Sequence, residues 1–170
     1  MKISSVLLSI ALILSFSAQA AAPKAFDPFA GKWTGKLEYQ DYQGTGRVSI
    51  PVKLEVKPSN DTTAVWDFVY DDFGKPVPSF ETHVWNGSKY TVTTKGKPEV
   101  LSYTSKDFAK LIASKVGKSV LTGFEIELGA TVEVRRTITL EAQKLVTLKE
   151  TRLKGEKFTF RNQSTYSRQP

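Results

Sequence analysis

From Gly31 onward the chain alternates apolar and polar residues. Gly31 to Tyr39 sets Trp33, Gly35, Leu37 and Tyr39 on one face and Lys32, Thr34, Lys36 and Glu38 on the other. Arg47 to Lys57 sets Val48, Ile50, Val52, Leu54 and Val56 against Ser49, Pro51, Lys53 and Glu55. Thr63 to Asp71 puts Ala64, Trp66, Phe68 and Tyr70 on one side. A period of two marks strands with one buried face. It returns over Ser79–Trp85, Lys89–Thr94, Glu99–Thr104, Ser119–Leu128, Thr131–Leu140, Leu145–Leu153 and Lys157–Tyr166. The intervening Pro-Ser-Asn-Asp at 58–61, Asn86-Gly87 and Gly96-Lys97-Pro98 are turn sequences, and residues 72–78 read as a loop.

One segment has another period. Phe108, Leu111, Ile112 and Val116 recur at helical spacing, with Ser105 as a cap and Gly117 as a stop. The chain therefore predicts an all-β fold: an antiparallel meander of about eight to ten strands with one short helix, closed on itself so that no edge is left exposed. The helix could cover the barrel mouth. Its lysines (Lys106, Lys110, Lys115 and Lys118) would give it a basic outer face suited to an anionic membrane or an acidic ligand.

Ahead of this pattern stands a different one. Lys2 precedes the apolar run Val6–Phe16, and Ser17-Ala18-Gln19-Ala20 supplies small residues in an A-x-A arrangement. A helix over that run reaches only about 16 Å, against about 30 Å of bilayer hydrocarbon. Residues 1–20 read as a cleavable signal peptide cut after Ala20, leaving 21–170 as a single domain, periplasmic or secreted from a bacterium. The sequence has no cysteine, so disulfides, thiolate metal sites, cysteine nucleophiles and lipid attachment through cysteine are all excluded. An outer-membrane barrel is the rival reading. With the apolar face turned inward, it would place Lys53, Glu55, Asp67 and Glu133 in lipid.

The net charge of +7 is spread along the chain and favours acidic partners only weakly. Nucleic-acid binding needs exposed aromatics beside basic residues, whereas here the aromatics alternate onto the buried face.

The opening strand carries a resemblance. Phe29-Ala30-Gly31-Lys32-Trp33-Thr34-Gly35 resembles the G-x-W start of the lipocalin-like (calycin) barrels. Residues 31–42, together with the ending Gly155-Glu-Lys-Phe-Thr-Phe-Arg-Asn162, are similar to uncharacterised exported bacterial proteins of that kind. The resemblance implies that Trp33 closes one end of a barrel and packs against an arginine of the last strand, for which Arg161 is the candidate.

Candidate chemistry is sparse. His83 is the sole histidine, and with no neighbouring His or Cys it is expected at the surface or an interface. Asp67, Asp71, Asp72 and Glu81 lack the spacing of a calcium loop. More telling are polar residues that fall on the apolar face. If Leu140 faces Val146, then Arg136 lies opposite Glu150, Arg152 follows two residues on, and Asn162 shares the face of Phe158 and Phe160. A charge inside a barrel is costly unless paired or met by a ligand. The group is either a satisfied structural cluster or the polar end of a cavity, and a one-residue slip would move Glu150 and Arg152 outside.

The expectation is an exported, non-catalytic barrel that binds a small apolar or amphipathic ligand, anionic ones included. Leu37, Tyr39, Trp66, Phe68 and Tyr70 would form the wall, and Arg136 an anchor among Glu150, Arg152 and Asn162. No metal or cofactor is expected. The alternatives are a periplasmic interaction or inhibitor module working through its loops, around Phe73–Pro78, and an enzyme centred on His83 or Glu150.

Overall fold

The structure, a computed structural model, describes residues 24–41 and 44–170, so the signal segment 1–20 lies outside the described residues. A 3₁₀ turn at Asp27–Phe29 leads into ten strands: β1 Gly31–Gln40, β2 Arg47–Pro58, β3 Thr63–Asp72, β4 Lys75–Trp85, β5 Lys89–Thr94, β6 Val100–Thr104, β7 Gly117–Glu127, β8 Ala130–Leu140, β9 Lys144–Arg152 and β10 Thr159–Arg168. A single helix, α1 Phe108–Ser114, joins β6 to β7. Each strand pairs antiparallel with its neighbours in sequence, and β1 closes the ring on β10. This is the all-β meander barrel that the alternation predicts. The apolar face turns inward: Val52, Leu54, Val56, Trp66, Val134 and Leu140 are buried, while Lys53 is exposed on the outer face.

The first hairpin past β2 differs from expectation. Residues 75–78 continue β4 instead of forming a loop, and the turn is only Phe73-Gly74, with Gly74 N–H donating to Asp71 Oδ1 at 2.6 Å. Pro76 and Pro78 are tolerated because β4 pairs with β5 only from Glu81 onward, so the segment before it is a free edge on that side.

The register gives the barrel two unlike ends. At the end where β1 begins, Phe26 and Phe29 of the lead-in and Phe108 of α1 are fully buried as an aromatic plug. Phe29 stacks on Phe108 at 6.1 Å, and Phe108 meets Trp85 edge-on at 5.1 Å. The helix thus seals the closed end instead of covering the mouth, and its lysines face solvent. Trp33 belongs to this plug, its Nε1–H donating to the Phe29 carbonyl at 2.9 Å. The arginine over its ring is Arg168, at 4.1 Å, which also donates to the carbonyls of Ala30 (2.5 Å) and Pro28 (2.8 Å).

Arg161, the candidate for that role, is elsewhere. It donates from Nε to Thr151 Oγ1 at 2.6 Å and pairs with Glu127 at 3.1 Å. β1 pairs antiparallel with β10 so that Trp33 faces Arg168, which leaves Arg161 toward the mouth. It is the extra residue of a β-bulge: Phe160 faces Glu150 and Asn162 faces Lys149. The bulge exchanges the faces of β10. Phe158 and Phe160 lie outside, under Arg135 (4.3 Å), Arg152 (4.4 Å) and Arg47 (3.8 Å), while Asn162 turns inward.

One line of the ring is incomplete. β6 and β7 pair only at Tyr103–Gly123 and Thr104–Thr122. Toward the mouth they part, leaving a cleft of about 630 Å³ between Val100 and Leu101 on one side and Phe124 and Ile126 on the other. On its far edge β7 stays paired with β8 as far as Glu127.

Candidate ligand cavity

Beneath the plug, at mid-barrel, the inward side chains stop short of filling the interior and leave a cavity of about 170 Å³. Of the residues expected to line it, Leu37, Trp66, Phe68, Tyr70, Arg136 and Asn162 do so. Tyr39 does not; it sits farther toward the mouth, where it pairs with Val48 and is only half buried. Glu150 and Arg152 are outside. Leu140 pairs with Leu145, not Val146, so Arg136 faces Lys149 while Arg135 faces Glu150 and Glu133 faces Arg152. Leu145 is completely buried, and burying it fixes this register. On the outer surface Glu150 accepts both a 2.8 Å and a 2.9 Å bond from Arg135, and Arg152 pairs with Glu133 at 2.6 Å.

His83 corrects another expectation. It is buried, stacked on Trp66 at 4.4 Å, and it lines the cavity. Tyr90 O–H donates to its Nδ1 at 2.6 Å, and its Nε2–H donates to Glu81 Oε2 at 2.9 Å, the arrangement in which each group is satisfied by a neutral ring. Burial holds the imidazole below its ordinary pKa, over the opposing hydrogen bond and charge of Glu81. For Glu81 burial acts upward, yet the hydrogen bond from His83 and the nearby positive charges hold its carboxyl below the usual range. The signal for this cluster was present in the sequence, since Glu81 and His83 share a face with Trp85.

Lys149 is the inward cation that the expected register hid. It lies 2.5 Å from Glu125 Oε2 and 3.2 Å from Glu127 Oε1, and Glu125 also accepts from the Tyr103 hydroxyl. Burial pushes Glu125 upward, but the Lys149 and Tyr103 hydrogen bonds more than offset it.

Arg136 has no such escort. Among the described residues its guanidinium makes no hydrogen bond and no ion pair, and it lies over the ring of Tyr103 at 5.3 Å. Its Nε is sealed without a partner, while the residue keeps accessible surface on the cavity. Burial works against its charge, and the fields of Tyr103, Glu81 and Glu125 outweigh that, so the group stays protonated with a raised pKa. Trp66 Nε1 is a second sealed donor in the same wall. The wall thus offers the two Nη groups of Arg136 beside aromatic faces, an arrangement that can hold an acceptor group on an apolar body. Among the described residues no cluster of three metal-ligating side chains forms.

No protein-family model and no curated protein matches this sequence. Solved structures do. Rv2717c from M. tuberculosis superposes with a TM-score of 0.60 at 12% identity, over 89% of this chain and 99% of that one. A protein of unknown function of the DUF3598 family from Nostoc punctiforme gives 0.52 at 10% identity, over 85% of this chain and 49% of that one. At such identities the likeness is one of fold, and a closed antiparallel β-barrel is what this chain has in common with them.

Proposed function

We propose that this chain is an exported barrel that binds a small apolar or amphipathic ligand, anionic ones included, in its interior and performs no chemistry on it. The observation that carries the reading is Arg136, a partly buried guanidinium without a hydrogen bond among the described residues, set in the wall of a mid-barrel cavity. A guanidinium with unfilled hydrogen-bonding positions gains a charge-assisted bond when an acceptor binds beside it. Leu37, Trp66, Phe68 and Tyr70 supply the apolar wall. The signal-peptide reading of residues 1–20 puts the domain in the periplasm or outside the cell.

Native mass spectrometry of the protein purified from a periplasmic fraction tests both halves. The expected result is a chain beginning at Ala21 with a retained small mass, and loss of that mass in Arg136→Met. A protein that keeps residues 1–20 overturns the export reading. A protein that retains nothing and is stabilised by no small molecule overturns the binding reading.

A second reading, docking to another protein through the mouth, is favoured by Phe73 (83% exposed), together with the exposed Phe124, Ile126 and Leu128.

A further inference from the structure

We infer that the cavity takes a compact monoanion with a single ring, a monocyclic carboxylate of about the size of benzoate. This rests on the interior-binding reading above and makes it specific in size, charge and shape.

Size comes first. An apolar cavity of about 150 Å³ holds one benzene molecule, whereas sites for drug-sized ligands span roughly 300–1,000 Å³. The 170 Å³ here admits one ring and a small head group. A long acyl chain finds no room toward the closed end, which is filled by Phe26, Phe29, Trp33 and Phe108, each at most 1% exposed.

Charge comes next. Lys149 is matched by Glu125 and Glu127, and Arg161 by Glu127, while Glu81 is hydrogen-bonded by the neutral ring of His83. Arg136 is the cavity cation left without a hydrogen bond or ion pair among the described residues, so one negative charge on a ligand finds a charge-assisted bond there. A second would lie in the field of Glu81, which lines the same cavity.

The donors then select the head group. Arg136 makes no hydrogen bond among the described residues, and its two Nη groups, unlike the sealed Nε, keep surface on the cavity. A carboxylate offers lone pairs in the plane that matches a guanidinium fork. The body of the ligand meets Trp66, Phe68 and Tyr70, successive inward residues of β3 with ring centroids 6.2 and 5.7 Å apart. Such a ladder receives a flat ring by offset stacking or edge contact.

The test is calorimetric titration and thermal shift with four probes: benzoate, its neutral analogue benzamide, the dianion phthalate, and palmitate. They are applied to the wild type, to Arg136→Met, and to Glu150→Gln, whose carboxylate lies outside the barrel. Benzoate is expected to bind and stabilise the wild type and Glu150→Gln, and at least about tenfold more weakly to bind Arg136→Met, the scale of one lost charge-assisted hydrogen bond. Benzamide and phthalate are expected to fall behind benzoate by a similar factor in the unaltered protein, a comparison that needs no variant. Benzamide equal to benzoate overturns the charge assignment. Palmitate binding where benzoate does not overturns the size and ring assignment and leaves interior binding standing. No stabilisation by any probe, with no mass retained in native mass spectrometry, removes both readings together.

Discussion

His83 sits in a stack of rings, sandwiched in chemistry as well as in space. Trp66 covers one face, Tyr90 donates to one nitrogen, and Glu81 accepts from the other. Burial keeps the folded-state imidazole below its ordinary pKa of about 6.5. As pH falls through that value the unfolded chain takes up a proton before the folded one does, so stability is full above about pH 6.5 and declines below it. Glu81, also depressed when folded, adds a loss of the same sign at lower pH. Urea denaturation of the wild type between pH 7 and pH 5 is therefore expected to show a slope of up to one proton, about 1.4 kcal/mol per pH unit. His83→Gln is expected to flatten that limb, and an unchanged slope in the variant would count against a neutral buried ring. The parity that places His83 beside Trp85 is legible in the sequence. What the sequence hides is that a lone polar residue among aromatics finds its partners two residues away on the same strand and across on the next.

The last strand shows where pattern reading stops. Phe158, Phe160, Asn162, Ser164, Tyr166 and Arg168 keep one parity throughout, so nothing in the letters marks the bulge at Arg161 that sends the first two outward and the rest inward. The turn between β8 and β9 is silent in the same way. Pairing Leu140 with Leu145 or with Val146 both satisfy an apolar face, and only the completed core chooses between them. The second shift accounts for the departure of Glu150 and Arg152 from the interior, whereas Arg168 takes the place expected of Arg161 because the antiparallel pairing of β1 and β10 sets it opposite Trp33. The energetic consequence is unequal. Arg168→Ala removes a cation–π contact and three charge-assisted bonds to the carbonyls of Pro28, Ala30 and Ala142, a loss of about 2–4 kcal/mol. Arg161→Ala removes a half-exposed pair near the mouth and costs about 1 kcal/mol or less. Chemical denaturation of the two variants checks the order, and equal losses would argue that Arg168 does not lock the closed end.

At the scale of the molecule, the barrel was legible because its evidence is repeated. Every strand carries the same alternation, and a slip in one hairpin leaves the ring intact. The cavity was less legible because its volume is set by residues far apart in the chain: the lead-in Phe26 and Phe29, the helical Phe108, and the ladder on β3 decide together how much of the interior remains open. The wall residues Leu37, Trp66, Phe68, Tyr70 and Arg136 could be named from alternation alone, and Glu81 and His83 share the parity of Trp85, whereas Lys149 required the register.

The parted strands β6 and β7 give this molecule a timetable. A ring bonded all the way round opens only as it unfolds, but one with a slit has a faster mode, in which Val100–Ser102 swing away from Phe124–Ile126 without disturbing the plug. Amide hydrogens along those two stretches are expected to exchange well ahead of their counterparts in β8 and β9, and uniform protection would show that the slit does not breathe. A guest in the cavity would then leave at the tempo of this breathing and not of global unfolding. Residence time and overall stability could thus be tuned by separate residues.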